Sequence, residues 1–206
     1  MPSLNSSPDS TLGILPDIDL PGALLRYFHP AGLDSDSKLL DHFIRKTPWR
    51  QEDISLFGVT RPQPRLIAWY GDPGAVYTYS GISHDPLPWT ARLLELRSAI
   101  EGLCDMTFNS VLLNYYRDGM DSMGLHADDE PELGDRPVIA SYSLGARRRM
   151  YFRHKARREL PTQSLDLPHD SLLVMSGTTQ EYWKHGIRRT SRPCGPRVNL
   201  TFRLVR

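Results

Sequence analysis

Cysteine is scarce. The 206-residue chain holds two, Cys104 and Cys194, too few for a disulfide framework, so reduced thiols in a cytosol-like compartment are expected. Long apolar runs are missing too. A stretch such as Leu172–Met175 is far shorter than the ~20 residues a membrane-spanning helix needs. No lysine or arginine precedes Arg26 and no apolar segment opens the chain, which argues against a secretory signal. No segment repeats and no linker-like run divides the chain, so one domain is expected at this length, against a rough prior of ~150 residues per domain. The 39% hydrophobic content is too rich for disorder and supports a full core.

Acidic residues are scarce in the last third. Residues 136–206 carry 15 Lys and Arg against 4 Asp and Glu, whereas residues 1–135 carry 10 against 20. Thirteen of those 15 are arginines, whose forked donors suit phosphates and carboxylates. Two readings stay open on charge alone: a nucleic-acid partner, or a basic face that folds back on the acidic half.

Residues 1–22, rich in Ser, Pro and Asp, read as a loose N-terminal arm ahead of a body spanning 23–206. Apolar residues at 39, 40, 43 and 44 predict a helix over Asp36–Lys46. Arg65–Tyr70 reads as a strand after Pro62 and Pro64. Pro88 and Thr90 introduce a second helix with an apolar face of Leu93, Leu94, Leu96 and Ile100, ending near Gly102. Strands follow near 110–116, 137–144, 147–153, 163–167, 171–176 and 197–205, with a helical turn where Thr178 and Glu181 fit a capping box. Helices first and strands afterwards predict an α+β fold, a helix-supported β-sandwich or jelly roll.

Candidate chemistry begins at His126 and Asp128. Residues two apart on an extended segment point to one face. Joined by a distant histidine such as His185, they form a two-histidine, one-carboxylate set that leaves metal positions open for a cosubstrate and O2. His-x-Asp alone carries little weight, since about 0.6 occurrences arise by chance at this composition. In Arg197–Arg203 one face carries Arg197, Asn199, Thr201 and Arg203, and the other Val198, Leu200, Phe202. The apolar face belongs in a core; the polar face is either solvent-exposed or a pocket able to grip a small dicarboxylate. Asn114 and Tyr116 share a strand face and offer an amide and a phenol. His29, His42, His84, His154 and His169 lack ligand spacing, and the four tryptophans read as packing residues, with a wall of the site as a second reading for Trp183, close to His185.

The order of these motifs carries more than any one of them. Asn114-x-Tyr116-x-x-Gly119, His126-x-Asp128-Asp129-Glu130, Ser141-x-Ser143-x-Gly145, Phe152-Arg153-His154-Lys155, His185 and Arg197–Arg203 follow in turn. With Tyr77-Thr78-Tyr79-Ser80-Gly81 upstream, this series over roughly 56–205 resembles the AlkB family of Fe(II)/2-oxoglutarate dioxygenases, closest to its double-stranded-DNA repair branch.

That resemblance implies a double-stranded β-helix with a nucleotide-recognition lid at about 50–85 and a jelly-roll core at about 110–206. It implies Fe(II) on His126, Asp128 and His185. It places 2-oxoglutarate on Asn114, Tyr116, Arg197, Asn199, Thr201 and Arg203, with Arg203 near the iron-chelating end and Arg197 at the distal carboxylate. Tyr77, Tyr79 and Asp129 would line the damaged-base pocket, and Leu56-Phe57-Gly58 would match a finger that fills the gap left by an extracted base. Val59 stands where the family's finger often has a basic residue, and Tyr79 where a close relative has Phe.

The implied activity is demethylation of 1-methyladenine and 3-methylcytosine in DNA with O2, releasing formaldehyde, succinate and CO2. Base extrusion, aromatic stacking and an apolar wedge fit that task. Arg147, Arg149, Arg153, Lys155, Arg188 and Arg189, with Arg148 in the same run, would meet phosphates of duplex or single-stranded DNA. Other readings are an oxygenase acting on RNA, protein or a small molecule, and a non-catalytic DNA-binding jelly roll. A monomer without membrane attachment is expected, in a bacterial cytoplasm or a nucleus.

Overall fold

The computed structural model describes residues 18–34, 37–56, 59–79 and 82–206. The first helix, α1 (Leu39–Lys46), starts three residues later than its periodicity predicts. Asp34 sets that start, its Oδ1 taking the amides of Lys38 and Leu39 at 3.1 Å each. The second, α2 (Ala91–Cys104), opens where Thr90 accepts the Leu93 amide at 3.3 Å, as a threonine N-cap should. It runs past Gly102 and stops where Asp105 turns left-handed at φ 54°. Its buried face is Leu93, Leu96, Ile100 and Cys104, whereas Leu94, expected on that face, points to solvent.

In chain order the described strands are β1 (Ala23–Phe28), β2 (Asp53–Leu56), β3 (Val59–Pro62), β4 (Leu66–Gly71), β5 (Tyr77–Tyr79), β6 (Ile82–His84) and β7 (Ser110–Tyr116). They continue with β8 (Met123–His126), β9 (Ile139–Gly145), β10 (Arg148–His154), β11 (Gln163–Leu167), β12 (Ser171–Gly177), β13 (Trp183–Ile187) and β14 (Arg197–Arg203). All six strands expected from Ser110 onward are present within a few residues. β1, β2, β3, β5, β6, β8 and β13 emerge only in the structure.

A six-stranded sheet runs β1-β12-β9-β14-β7-β4, and a four-stranded sheet runs β11-β10-β13-β8. Strand alternation divides the core in two. Val111, Leu113, Tyr142, Leu172, Val174, Val198, Leu200 and Phe202 pack against Phe43 of α1 and Leu93, Leu96 and Ile100 of α2. Leu112, Tyr116, Ile139, Leu173 and Met175 face Met150, Phe152, Leu165, Leu167, Trp183 and Ile187 of the smaller sheet. This is the two-sheet jelly roll with helices on one outer face, the α+β class read from element order. β2–β3 and β5–β6 form separate two-stranded hairpins inside the stretch expected to be a lid.

Two local expectations give way. The capping box does not form: α3 is the four-residue Thr179–Tyr182, and the Thr178 hydroxyl donates to the Gly22 carbonyl instead of capping its own turn. Most of the proposed N-terminal arm lies outside the described residues, and its last residues touch the body. Leu20 is buried, and Trp183 Nε1 donates to the Pro21 carbonyl at 3.1 Å. No described helix is long and apolar enough to cross a membrane.

Candidate metal centre and cosubstrate cleft

His126 ends β8 and His185 sits in β13, and the antiparallel ladder places them directly opposite each other. Their ring centroids are 4.4 Å apart. Asp128 follows two residues after His126, so its side chain turns to the same side and completes the group. One ligand atom from each of His126, Asp128 and His185 lies within 4.8 Å of the others. Gly186 makes the close strand approach possible: a Cβ there would stand 2.8 Å from the carbonyl oxygens of Met123 and Gly124.

Electrostatics suit a cation. Burial and the facing His185 push the His126 imidazole down to about 3, so it is neutral with a free lone pair at physiological pH. Burial alone would raise Asp128, but the Arg203 guanidinium and then the two histidines hold its carboxyl well below the usual carboxylate range. Arg203 bonds Asp128 Oδ1. Oδ2 stays buried, accepts no hydrogen bond among the described residues, and lies 3.4 Å from His185 Nε2. Two imidazoles and a buried carboxylate oxygen whose lone pairs meet no hydrogen-bond donor among the described residues form a donor set that fits Fe(II).

The cleft between the sheets continues away from this group, lined by Asn114, Tyr116, Ser141, Arg197, Asn199, Thr201 and Arg203, with Met123, Met150, Met175 and Ile187 as its apolar wall. The polar face of β14 is therefore buried, because helices cover its apolar face and the second sheet covers the other. Arg197 is 1% exposed. Its Nη2 donates to Ser143 Oγ at 2.9 Å, while Nε and Nη1 find no acceptor among the described residues. Burial lowers its pKa from the usual arginine value, and the Tyr116 hydroxyl opposes that shift only in part. Asn199 donates to Ser141 Oγ and the Tyr142 carbonyl, both at 2.9 Å, and accepts from Thr201 at 3.0 Å. The Ser-x-Ser-x-Gly motif thereby acquires a function its residues did not announce: the serines orient the polar side chains of β14. Its glycine allows β9 to meet the start of β14, since a Cβ on Gly145 would lie 2.4 Å from the Pro196 carbonyl at a φ of 89°.

Two contributors lie outside the set the sequence assigned to the cleft. Arg65, buried ahead of β4, donates to Asn114 Oδ1 at 2.8 Å and so fixes which way that amide turns. Arg148 was expected at a phosphate together with its neighbours, yet it is 4% exposed and donates to the carbonyls of Asp118 at 3.0 Å and of Asp121 and Arg188 at 2.8 Å. Its guanidinium lies 5.6 Å from the Tyr116 ring, and Arg197 lies 5.0 Å from the same ring. Parity along β10 explains the difference: Arg148 shares the inward face with Met150 and Phe152, while Arg149 and Arg153 face out.

The outer arginines are not all unengaged. Arg149 pairs with Asp166 at 2.7 Å, Arg147 approaches the same carboxylate at 3.9 Å, and Arg188 stacks over Tyr151 at 4.0 Å. Arg153 and Arg189 are exposed with no carboxylate partner among the described residues. Lys155 pairs with Asp129 at 2.7 Å, joining a residue expected at phosphate to one expected at the base pocket. Phe57 and Gly58 lie outside the described residues, as do the side chains of Leu56, Tyr77 and Tyr79. Trp183 is a buried packing residue, and His169 serves structure, its Nδ1 accepting the Gly145 amide at 3.0 Å.

With this geometry in place, comparisons add a lineage. A family model described as the 2OG-Fe(II) oxygenase superfamily matches residues 24–203. The mouse protein named alpha-ketoglutarate-dependent dioxygenase alkB homolog 3 is 44% identical over 175 residues, covering 81% of this chain and 60% of that protein. The human protein named DNA oxidative demethylase ALKBH2 is 42% identical over 158 residues, covering 74% of this chain and 60% of that one. The chain thus spans about 60% of the length of these relatives. A solved structure titled "The structure of OsALKBH1" shares the fold at a TM-score of 0.61 and 19% identity, covering 90% of this chain and 99% of its own.

Proposed function

The chain belongs to the 2OG-Fe(II) oxygenase superfamily, and from that premise we propose that it removes methyl groups oxidatively from N-alkylated DNA bases such as 1-methyladenine and 3-methylcytosine. The observation that carries the reading is the pairing, in one cleft, of a convergent donor triad with a buried guanidinium. At one end His126, Asp128 and His185 offer three convergent donors. Further along, Arg197 is buried, and its Nε and Nη1 meet no acceptor among the described residues. A buried guanidinium with open donors calls for an anion, and a short dicarboxylate reaching from the donor triad satisfies both ends.

His126, Asp128 and His185 would hold Fe(II), and Arg197, with Asn114, Tyr116, Asn199, Thr201 and Arg203, would hold 2-oxoglutarate. When bound with O2, they supply the oxidising power that hydroxylates an N-linked methyl carbon. The chain's own part is placement. Arg203 neutralises Asp128 and fixes its Oδ1. The serines of β9 hold Arg197 and Asn199 in register, and the methionines keep water from the reacting end.

The DNA part of the reading draws on the name of the human relative and on the basic outer surface, where Arg153 and Arg189 stand ready for phosphates with help from Arg147, Arg149, Lys155 and Arg188. Tyr77, Tyr79 and Asp129 would form the base pocket, and Phe57 the wedge that makes duplex as well as single-stranded DNA a substrate. A single copy of the chain suffices, because every group named belongs to it.

The test is demethylation of single- and double-stranded oligonucleotides carrying 1-methyladenine or 3-methylcytosine, followed by mass. Loss of the methyl mass is expected with iron, 2-oxoglutarate and ascorbate, and none from His126→Ala, which should still bind DNA. Unchanged oligonucleotides alongside succinate formation on an RNA, protein or small-molecule substrate would reject the DNA assignment. Full turnover in His126→Ala would reject the triad. Phe57→Ala is expected to harm duplex repair more than single-strand repair; equal losses would reject the wedge.

A further inference from the structure

The two histidines of the triad sit on paired strands, but Asp128 does not. It follows β8 in a stretch that joins no ladder, so its backbone position must be fixed some other way. The partner is Gln180, 52 residues along the chain on α3, whose Oε1 accepts the Asp128 amide at 3.0 Å. Gln180 is 1% exposed. Its Nε2 donates to Met175 Sδ at 3.6 Å, which fixes the amide with oxygen toward Asp128 and nitrogen toward the sulfur.

The short turn carrying Gln180 is anchored from several sides. Thr179 Oγ1 donates to the Ser176 carbonyl at 2.6 Å and accepts the Leu24 amide at 3.0 Å. Thr178 Oγ1 bonds the Gly22 carbonyl, and the adjoining Trp183 ring donates to Pro21. Asp128 is consequently held twice, by Gln180 at its main chain and by Arg203 at Oδ1, which leaves Oδ2 aimed at the space beside His185.

We infer that Gln180 is a positioning residue for the metal centre: through the Asp128 amide it sets the direction of the carboxylate and so the affinity of the site for a divalent ion. The inference rests on reading His126, Asp128 and His185 as metal ligands. Outer partners that orient a ligand typically change metal affinity by about 10–100-fold when lost.

The measurement is Mn(II) binding to the full chain, followed by the electron paramagnetic resonance signal of free Mn(II), in wild type and Gln180→Met. Methionine keeps the volume and replaces the amide oxygen with a thioether, a much weaker acceptor. About tenfold weaker binding is expected from Gln180→Met. A role confined to packing would lower the melting temperature of the metal-free protein and leave Mn(II) affinity in place. Mn(II) affinity within twofold of wild type overturns the inference while the triad stands; failure of wild type to take up Mn(II) overturns the triad and the inference with it. Should Gln180→Met not fold, Gln180→Asn carries the test. Its amide is one methylene too short to reach, so it is expected to weaken binding likewise, and wild-type affinity in it overturns the proposal.

Discussion

β14 and β10 are both seven-residue strands bearing arginines, and they use them in opposite ways. Every residue of β14 is buried, whereas β10 alternates between buried and open positions. β14 lies inside the six-stranded sheet, with α1 and α2 on one side and the smaller sheet on the other. β10 belongs to the smaller sheet, whose outer face meets solvent. The same guanidinium is therefore a fixed, desolvated group in one strand and a hydrated, screened charge in the other. Arg148 is the exception that locates the rule, because one step in strand parity moves it from the surface set to the interior set.

The sharpest way to break this contrast is Arg197→Ala. Losing two charge-assisted hydrogen bonds costs about 3 kcal/mol, roughly a 100-fold loss of 2-oxoglutarate affinity by calorimetry. Arg149→Ala should leave that affinity unchanged, and equal losses in the two variants would erase the distinction. Next comes Arg148→Met, which frees three carbonyls. Its unfolding free energy in urea should fall by about 2 kcal/mol, whereas Arg149→Met should leave the urea midpoint in place. An Arg148 variant as stable as wild type, with weakened DNA binding, would return that residue to the surface set.

A smaller effect is expected at Arg153. Arg153→Gln should weaken binding to all DNA sequences alike and reduce the slope of log affinity against log salt by about 1. No change in slope would remove Arg153 from the phosphate contacts.

The smallest difference extends the inside–outside comparison to the two thiols. Burial in the helix-side core pushes Cys104 up to about 11, while Cys194 is half-buried in the loop before β14. A thiol reagent at pH 8 should label Cys194 and spare Cys104. Because the folded pKa of Cys104 lies above its ordinary 9.0, its contribution to stability is complete below pH 9 and is lost as pH rises through about 11. Urea midpoints between those pH values, compared with Cys104→Ala, would show whether that loss occurs.

Legibility in the sequence tracked the range of the interaction. The spacing of Leu39 and Phe43, the Thr90 cap and the alternation of Val198, Leu200 and Phe202 are local, and each gave an element within a few residues of its place. The capping box at Thr178 failed although its local pattern was right, because a competing acceptor, the Gly22 carbonyl, arrives from 156 residues away. β13 was missed because Trp183–Ile187 is short and broken by a glycine. Its value lies in register, which sets His185 opposite His126. Resemblance to a family supplied His185 where periodicity had no means to choose among the histidines. Arg65 and Gln180 had neither motif nor family pattern to mark them; each acts by meeting a residue far away in the chain.

The amino-acid order determined, unaided, which face of β14 is apolar, where α2 begins, and that His126 and Asp128 point the same way. Such facts depend on dihedral preferences and side-chain spacing over a few residues. Only the folded arrangement decided that the polar face of β14 looks into a cleft instead of water, that Arg148 turns inward among outward arginines, and that Gln180 holds Asp128. Hydrophobic alternation specifies that a face is covered, whereas the identity of what covers it follows from strand order and register, which are set by contacts between distant parts of the chain.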